Sequence, residues 1–196
     1  MKTLGLSAAL GFLLILTWPI NAQESANFEK IREISPDQKF AFRISCSSKP
    51  EDPNNIDPSL ITAVELVSLP SKEVVTTLPQ NYDGGAANVI WSPDSNWLAF
   101  SSSSGPRVTD TYVYHRSNDK FTQLETEDLR VNAKGDVRNE YVSPIRWIKP
   151  GVLLVEQFDI FRGGEGEDAT YRFTAKFDDK SGKFQIISKK KVPSKG

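Results

Sequence analysis

Few side chains in this chain could carry covalent chemistry, since its 196 residues hold one histidine, His115, and one cysteine, Cys46. Nucleophilic catalysis of the Ser-His-Asp or Cys-His kind would have to pass through His115, yet no Gly-x-Ser-x-Gly elbow is present and Cys46 has no local support. One His and one Cys also fall short of the nitrogen and sulfur set that zinc takes. The run Gly163-Gly164-Glu165-Gly166-Glu167-Asp168 lacks the Lys-Ser/Thr that closes a phosphate loop, and its acids repel phosphate. That run is the one place where a hard cation, calcium, could bind, through Glu165, Glu167, Asp168 and backbone carbonyls. The Asp-x-Asp-x-Asp-Gly spacing of a calcium hand is missing, so a solvated loop is the plainer expectation. Glu156, Asp159 and Asp110 are candidates for a carboxylate pair, but all three fall near predicted strand ends, where solvated acids are common.

The elements that would position these groups are organised by a repeat. Ile34-Ser35-Pro36-Asp37-Gln38-Lys39-Phe40-Ala41-Phe42 matches Trp91-Ser92-Pro93-Asp94-Ser95-Asn96-Trp97-Leu98-Ala99-Phe100. Proline presets φ early in a turn and the aspartate accepts from amides just ahead, so Ser-Pro-Asp predicts a tight hairpin. Matching Ala41-Phe42 to Ala99-Phe100 leaves the first copy one residue short, which predicts a local bulge or register adjustment there. A third copy runs from Ile145 through Trp147 and Lys149-Pro150-Gly151 to Val155, with Trp147 in the place of Trp91. Each copy is followed by a second hairpin, with turns at Pro70-Ser71-Lys72, Ser117-Asn118-Asp119 and Asp178-Asp179-Lys180-Ser181-Gly182. Irregular loops are expected near 46–59, 102–110 and 158–168, and a turn of helix is tolerable only within 125–138. The predicted fold is all-β, with three four-stranded antiparallel blade-like sheets over about 28–79, 86–125 and 142–188.

A four-stranded unit whose first turn reads Ser-Pro-Asp and whose second strand ends in Ala-Phe resembles the WD-like propeller repeat of TolB-type bacterial proteins. The resemblance implies a radial array of twisted sheets with Trp91, Trp147, Phe42 and Phe100 packed between them. Closed propellers have at least four blades, so three imply a partial or small propeller. Pairing of two copies, a compact three-sheet arrangement or docking onto another protein would each cover its open faces. The resemblance further implies protein interaction in the cell envelope.

Residues 1–22 read as a secretory signal: Lys2, an apolar stretch over 4–18, and Pro19-Ile20-Asn21-Ala22 before a cut. The apolar run is too short and too interrupted for a stable membrane span, so a periplasmic or secreted protein is expected. Its removal takes the net charge only from −1 to −2, too little to draw in nucleic acid. The single cysteine forbids an internal disulfide, and Cys46 reads as a small buried residue at a strand end. Lys189, Lys190, Lys191 and Lys195 suggest a basic flexible tail over 189–196. Together these readings predict a non-enzymatic exported binding or scaffolding module acting through a protein partner or self-association. The alternative is a small hydrolase or calcium-dependent carbohydrate-binding protein using the 163–168 loop.

Overall fold

The computed structural model describes residues 27–79, 89–163 and 168–193. The predicted signal over 1–22 and residues 86–88 of the second blade lie outside them. The described residues are all-β, with one 3-10 turn, Pro58–Leu60, and no α-helix. No helix turn forms within 125–138, where the chain is irregular as far as Asp136.

The first unit is a four-stranded antiparallel meander, β1 (Phe28–Arg32), β2 (Phe40–Cys46), β3 (Ile61–Ser68) and β4 (Val74–Thr77), as expected. The second comprises β5 (Val89–Trp91), β6 (Trp97–Gly105), β7 (Val108–Ser117) and β8 (Lys120–Gln123). The third comprises β9 (Val137–Lys149), β10 (Val152–Phe161), β11 (Ala169–Phe177) and β12 (Phe184–Val192).

Three separate four-stranded sheets do not result: the second and third units share one eight-stranded sheet, and the two sheets do not close. The physical reason is strand length. β8 pairs with β7 only from Tyr114 to Ser117, which leaves the first part of the same β7 edge uncovered. There β9 pairs in parallel, Val108 opposite Glu140 and Thr109 opposite Tyr141. β9 accordingly begins at Val137, five residues before the predicted start of the third unit. The loop expected near 102–110 is largely strand, since β6 runs to Gly105 and β7 begins at Val108, and β10 extends to Phe161 into the loop expected near 158–168, of which residues 164–167 lie outside the described residues. Lys189, Lys190 and Lys191, expected in the tail over 189–196, belong to β12, opposite Phe173, Arg172 and Tyr171, while Lys195 lies outside the described residues.

Both Ser-Pro-Asp turns have one hydrogen-bond plan. Ser35 N donates to Phe40 O and Gln38 N to Ser35 O; Ser92 N donates to Trp97 O and Ser95 N to Ser92 O. Ser35 Oγ donates to Asp37 at 2.7 Å and accepts from Phe40 N at 3.0 Å, while Ser92 Oγ donates to Asp94 at 2.5 Å and accepts from Trp97 N at 2.9 Å. The fourth residue of each, Gln38 (φ 59) and Ser95 (φ 60), takes the left-handed conformation. Phe40, not Ala41, therefore occupies the position of Trp97. The adjustment predicted from matching Ala-Phe pairs is present between Arg32 and Ser35: Phe42 stands opposite Arg32 as Phe100 stands opposite Val89, each partner three residues before its serine, and Glu33 takes up the difference with φ 44. Both turns have the same length, and the residue missing from the first copy is absorbed at Glu33, before the turn.

Two apolar clusters lie between the units. Leu98 and Phe100 of β6 face the first unit, whereas Trp97 and Ala99 face the third. Every residue from Trp97 to Ser102 is buried, because the middle unit is covered on both faces. Of the aromatics expected between sheets, Phe42, Phe100 and Trp147 are buried, and Trp91 is partly buried against the first cluster of aromatics around Phe121. Phe42 meets Phe100 across the sheets with ring centroids 6.2 Å apart.

Candidate functional site

The residues that sequence chemistry singled out do not assemble into one centre. Glu165 and Glu167 lie outside the described residues, and Asp168 is exposed beside the start of β11. Among the described residues no group of three or more His, Cys, Asp or Glu is arranged to hold a metal ion. His115 sits on β7 with its ring 4.3 Å from Trp97, and Cys46 is buried at the end of β2, where burial pushes its thiol pKa up. Glu156 is engaged by Arg172 across the β10–β11 pair at 2.8 Å.

Asp110 and Asp159 come close to one another only through residues the sequence did not flag. Arg130 binds Glu140 and reaches Asp110 at 3.5 Å, while Glu140 stands directly opposite Asp159 in the β9–β10 register. Gln157 is the hub. Its Oε1 accepts from Val131 N at 2.7 Å, and its Nε2 donates to Val131 O at 2.9 Å and to Asp159 Oδ2 at 2.9 Å. This clamp fastens the 125–136 segment over one face of the sheet. Burial raises the carboxyl pKa of Asp159, against the lowering effects of Gln157 and Arg130. Glu140 is raised for the same first reason, reinforced by its acidic neighbours. Asp110 and Arg130 open onto a cavity of about 440 Å³ that Asp159 does not line. A polar residue in mid-strand, such as Gln157 on β10, was the available signal for this cluster, and only its burial reveals its part.

The surfaces that join the units form a second, repeated site. Trp91 Nε1 donates to Glu33 O of the first unit at 2.7 Å, and Trp147 Nε1 donates to Ile90 O of the second at 3.2 Å. Each acceptor precedes its own unit's Ser-Pro-Asp serine by two residues, and the donor lies 58 or 57 residues further on. The same inter-unit bond is thus made twice. At the first boundary it is accompanied by a polar latch: Asp37 N donates to Ser95 Oγ at 2.9 Å, and Arg116 binds Asp37 at 2.7 Å as well as Asp119. The Arg116 guanidinium also lies over the Phe40 ring, 4.5 Å from its centre. Burial alone would raise Asp37, but hydrogen bonds from Ser35 and Arg116 outweigh it and hold the carboxyl below its ordinary pKa.

In the first unit the position of Trp91 and Trp147 is filled by Ile34. It is 54% exposed, with no earlier unit against it among the described residues. Ile148, beside Trp147, is 51% exposed. Apolar side chains therefore reach solvent at both end units of the array.

Comparison of the sequence with protein-family models and with curated proteins finds no match. Among solved structures the chain is similar to TolB from Acinetobacter baumannii, with 18% identity and a TM-score of 0.37. That likeness covers 83% of this chain and 32% of the TolB chain, so this chain spans about a third of that structure. No helix among the described residues is long and apolar enough to cross a membrane.

Proposed function

We propose that the protein is an exported, non-enzymatic binding or scaffolding module of the cell envelope, and that it engages protein through the open ends of its blade array. The observation that carries this reading is the unfinished repeat. The indole-to-carbonyl bond that joins successive units occurs twice, yet Ile34 holds the same position in the first unit with more than half of its surface in water. Stacking is what buries the faces of such units, and an apolar residue left at the stacking position favours a further surface docking there. The amino-terminal pattern of Lys2, an apolar run and Ala22 supports export.

A photo-crosslinking residue at position 34, introduced into the protein in its native envelope, tests this reading. The expected result is a discrete crosslink to a protein or to a second copy, reduced by Ile148→Asp where the crosslinked partner is a second copy. Absence of any crosslink, together with monomeric sedimentation at micromolar concentration, would overturn it.

A further inference from the structure

Among the described residues β12 is an outer strand of the eight-stranded sheet, hydrogen bonded along one side, to β11. Two contiguous hollows of about 800 and 370 Å³ run beside it, sharing Val131, Asn132 and Lys189, and together form one trough. Each of residues 186–191 contributes to its wall in succession. Neighbouring residues of a strand point to opposite faces, so a wall built from every residue means that the trough meets β12 along its edge. The facing wall is the 130–136 segment, fastened by Gln157 to Val131. Phe161 and Tyr171 also line the larger hollow. Gly135 packs so closely on Phe161 that a Cβ there would lie 2.9 Å from the ring, which ties this wall to β10.

The charge of the trough is one-sided. Among the described residues, Lys134, Arg162, Lys189, Lys190 and Lys191 line the larger hollow against one acid, Asp136, which Arg162 already pairs at 3.4 Å. None of the four lysines makes an ion pair among the described residues. A chain with a net charge of only −1 has gathered these cations by folding, since Lys134 and Arg162 are distant in sequence from the β12 lysines.

From this juxtaposition of an open strand edge with a trough that is basic among the described residues, we infer that β12 docks an extended acidic segment of a partner protein, which adds to the sheet as a further strand. The inference rests on the protein-binding reading above and supplies the chemistry of the partner. A polypeptide backbone alone can pair with the outward N–H and C=O groups of β12. Carboxylates on alternate residues of an added strand recur about every 7 Å, the spacing at which Lys189 and Lys191 recur. A membrane surface is too flat to enter the trough, and an acidic glycan supplies charge without a ladder. Lysines on an edge also deter pairing between copies of the same strand, while leaving an acidic strand attractive.

The test is fluorescence anisotropy with a labelled peptide of about eight residues alternating Glu and Val, at about 50 mM salt. Saturable binding is expected, weakened about tenfold or more by Lys189→Glu with Lys191→Glu and by raising salt to about 300 mM. A peptide of the same sequence with N-methyl groups on alternate residues, which keeps the charge and removes one edge of donors, should lose binding to a similar degree. Thermal melting confirms that the variant is folded, and Lys189→Gln with Lys191→Gln replaces it if the charge reversal unfolds the strand. Absence of saturable binding, equal binding by the N-methylated peptide or the variants, or tighter binding of a sulfated oligosaccharide or of anionic phosphatidylserine vesicles would each overturn the inference. A position-34 crosslink retained by the charge-reversed variant, with no peptide binding in the wild type, would remove the trough and leave the proposed function standing.

Discussion

The two boundaries between units use the same indole-to-carbonyl bond and differ in everything around it. At the first boundary the units belong to separate sheets, and the contacts among the described residues each involve a side chain: Phe42 on Phe100, Arg116 on Asp37 and Phe40, and Asp37 N on Ser95 Oγ. At the second, the strands also hydrogen bond, because β7 and β9 pair in parallel and turn two units into one sheet. Trp97, Trp147 and Phe177 then pack as a cluster of mutually tilted rings inside the fold of that sheet, with centroids about 6 Å apart. One repeated contact can therefore serve both a boundary made of side chains and one that also has a backbone ladder. The first should be the more sensitive to pH and to loss of a charge, and the second to loss of volume.

The largest effect is expected from Trp97→Ala, which removes the ring shared by Trp147, Phe177 and His115. Urea denaturation should show a loss of about 4 kcal/mol, the range for truncating a buried aromatic. A loss below about 1 kcal/mol would mean that the backbone ladder, and not the aromatic stack, holds the second boundary.

Arg116→Met should cost about 2 kcal/mol, because it leaves Asp37 without its cation and uncovers Phe40. The pH dependence sharpens the point. A carboxyl held below its ordinary pKa contributes stability that is present above the unfolded value near 4 and lost as pH falls through the lowered folded value. Denaturation midpoints measured from neutral pH downward should therefore fall below about pH 4 in the wild type, and less steeply in Arg116→Met. Equal slopes would detach Asp37 from the first boundary.

Substituting Phe for each indole compares the shared bond directly. Trp147→Phe should cost about 1 kcal/mol more than Trp91→Phe, since Trp147 is the more buried and leaves a carbonyl further from water. Equal losses would show that burial does not distinguish the two bonds.

The smallest effect should be a gain. Asp159 is raised by burial, so its folded form favours the proton, and its stabilising contribution at low pH is lost as pH rises from its unfolded value through its raised folded one. Asp159→Asn should add somewhat under about 1 kcal/mol at pH 7, with the gain vanishing near pH 4. A loss at pH 7 would mean that the carboxylate is needed to orient Gln157 and the segment it clamps.

Much of the local structure was legible because it depends on neighbours in sequence. The Ser-Pro-Asp turns, the hairpin at Asn118 and Asp119, both with positive φ, and the Pro150-Gly151 turn with Gly151 at φ 69 follow from residue chemistry within a few positions. The number of strands per unit followed from the same signals. Legibility ended where partners come from elsewhere in the chain. Arg116, Arg130 and Gln157 sit in ordinary strand or loop sequence, and their contacts span up to 79 residues. The same holds for the trough, whose lysines read as a solvated tail until β12 is paired with β11.

By itself the sequence determined the all-β class, the repeating turns, and the scarcity of groups for nucleophilic catalysis. Those depend on backbone preference and on a side-chain period of two, which short stretches of chain encode. Only the tertiary structure decided that the last two units would share a sheet, that an uncovered length of the β7 edge would take β9, and that lysines distant in sequence would face one strand edge. Pairing between strands is chosen by which edges remain open after local hairpins form, and that is a property of the assembled units rather than of any one of them.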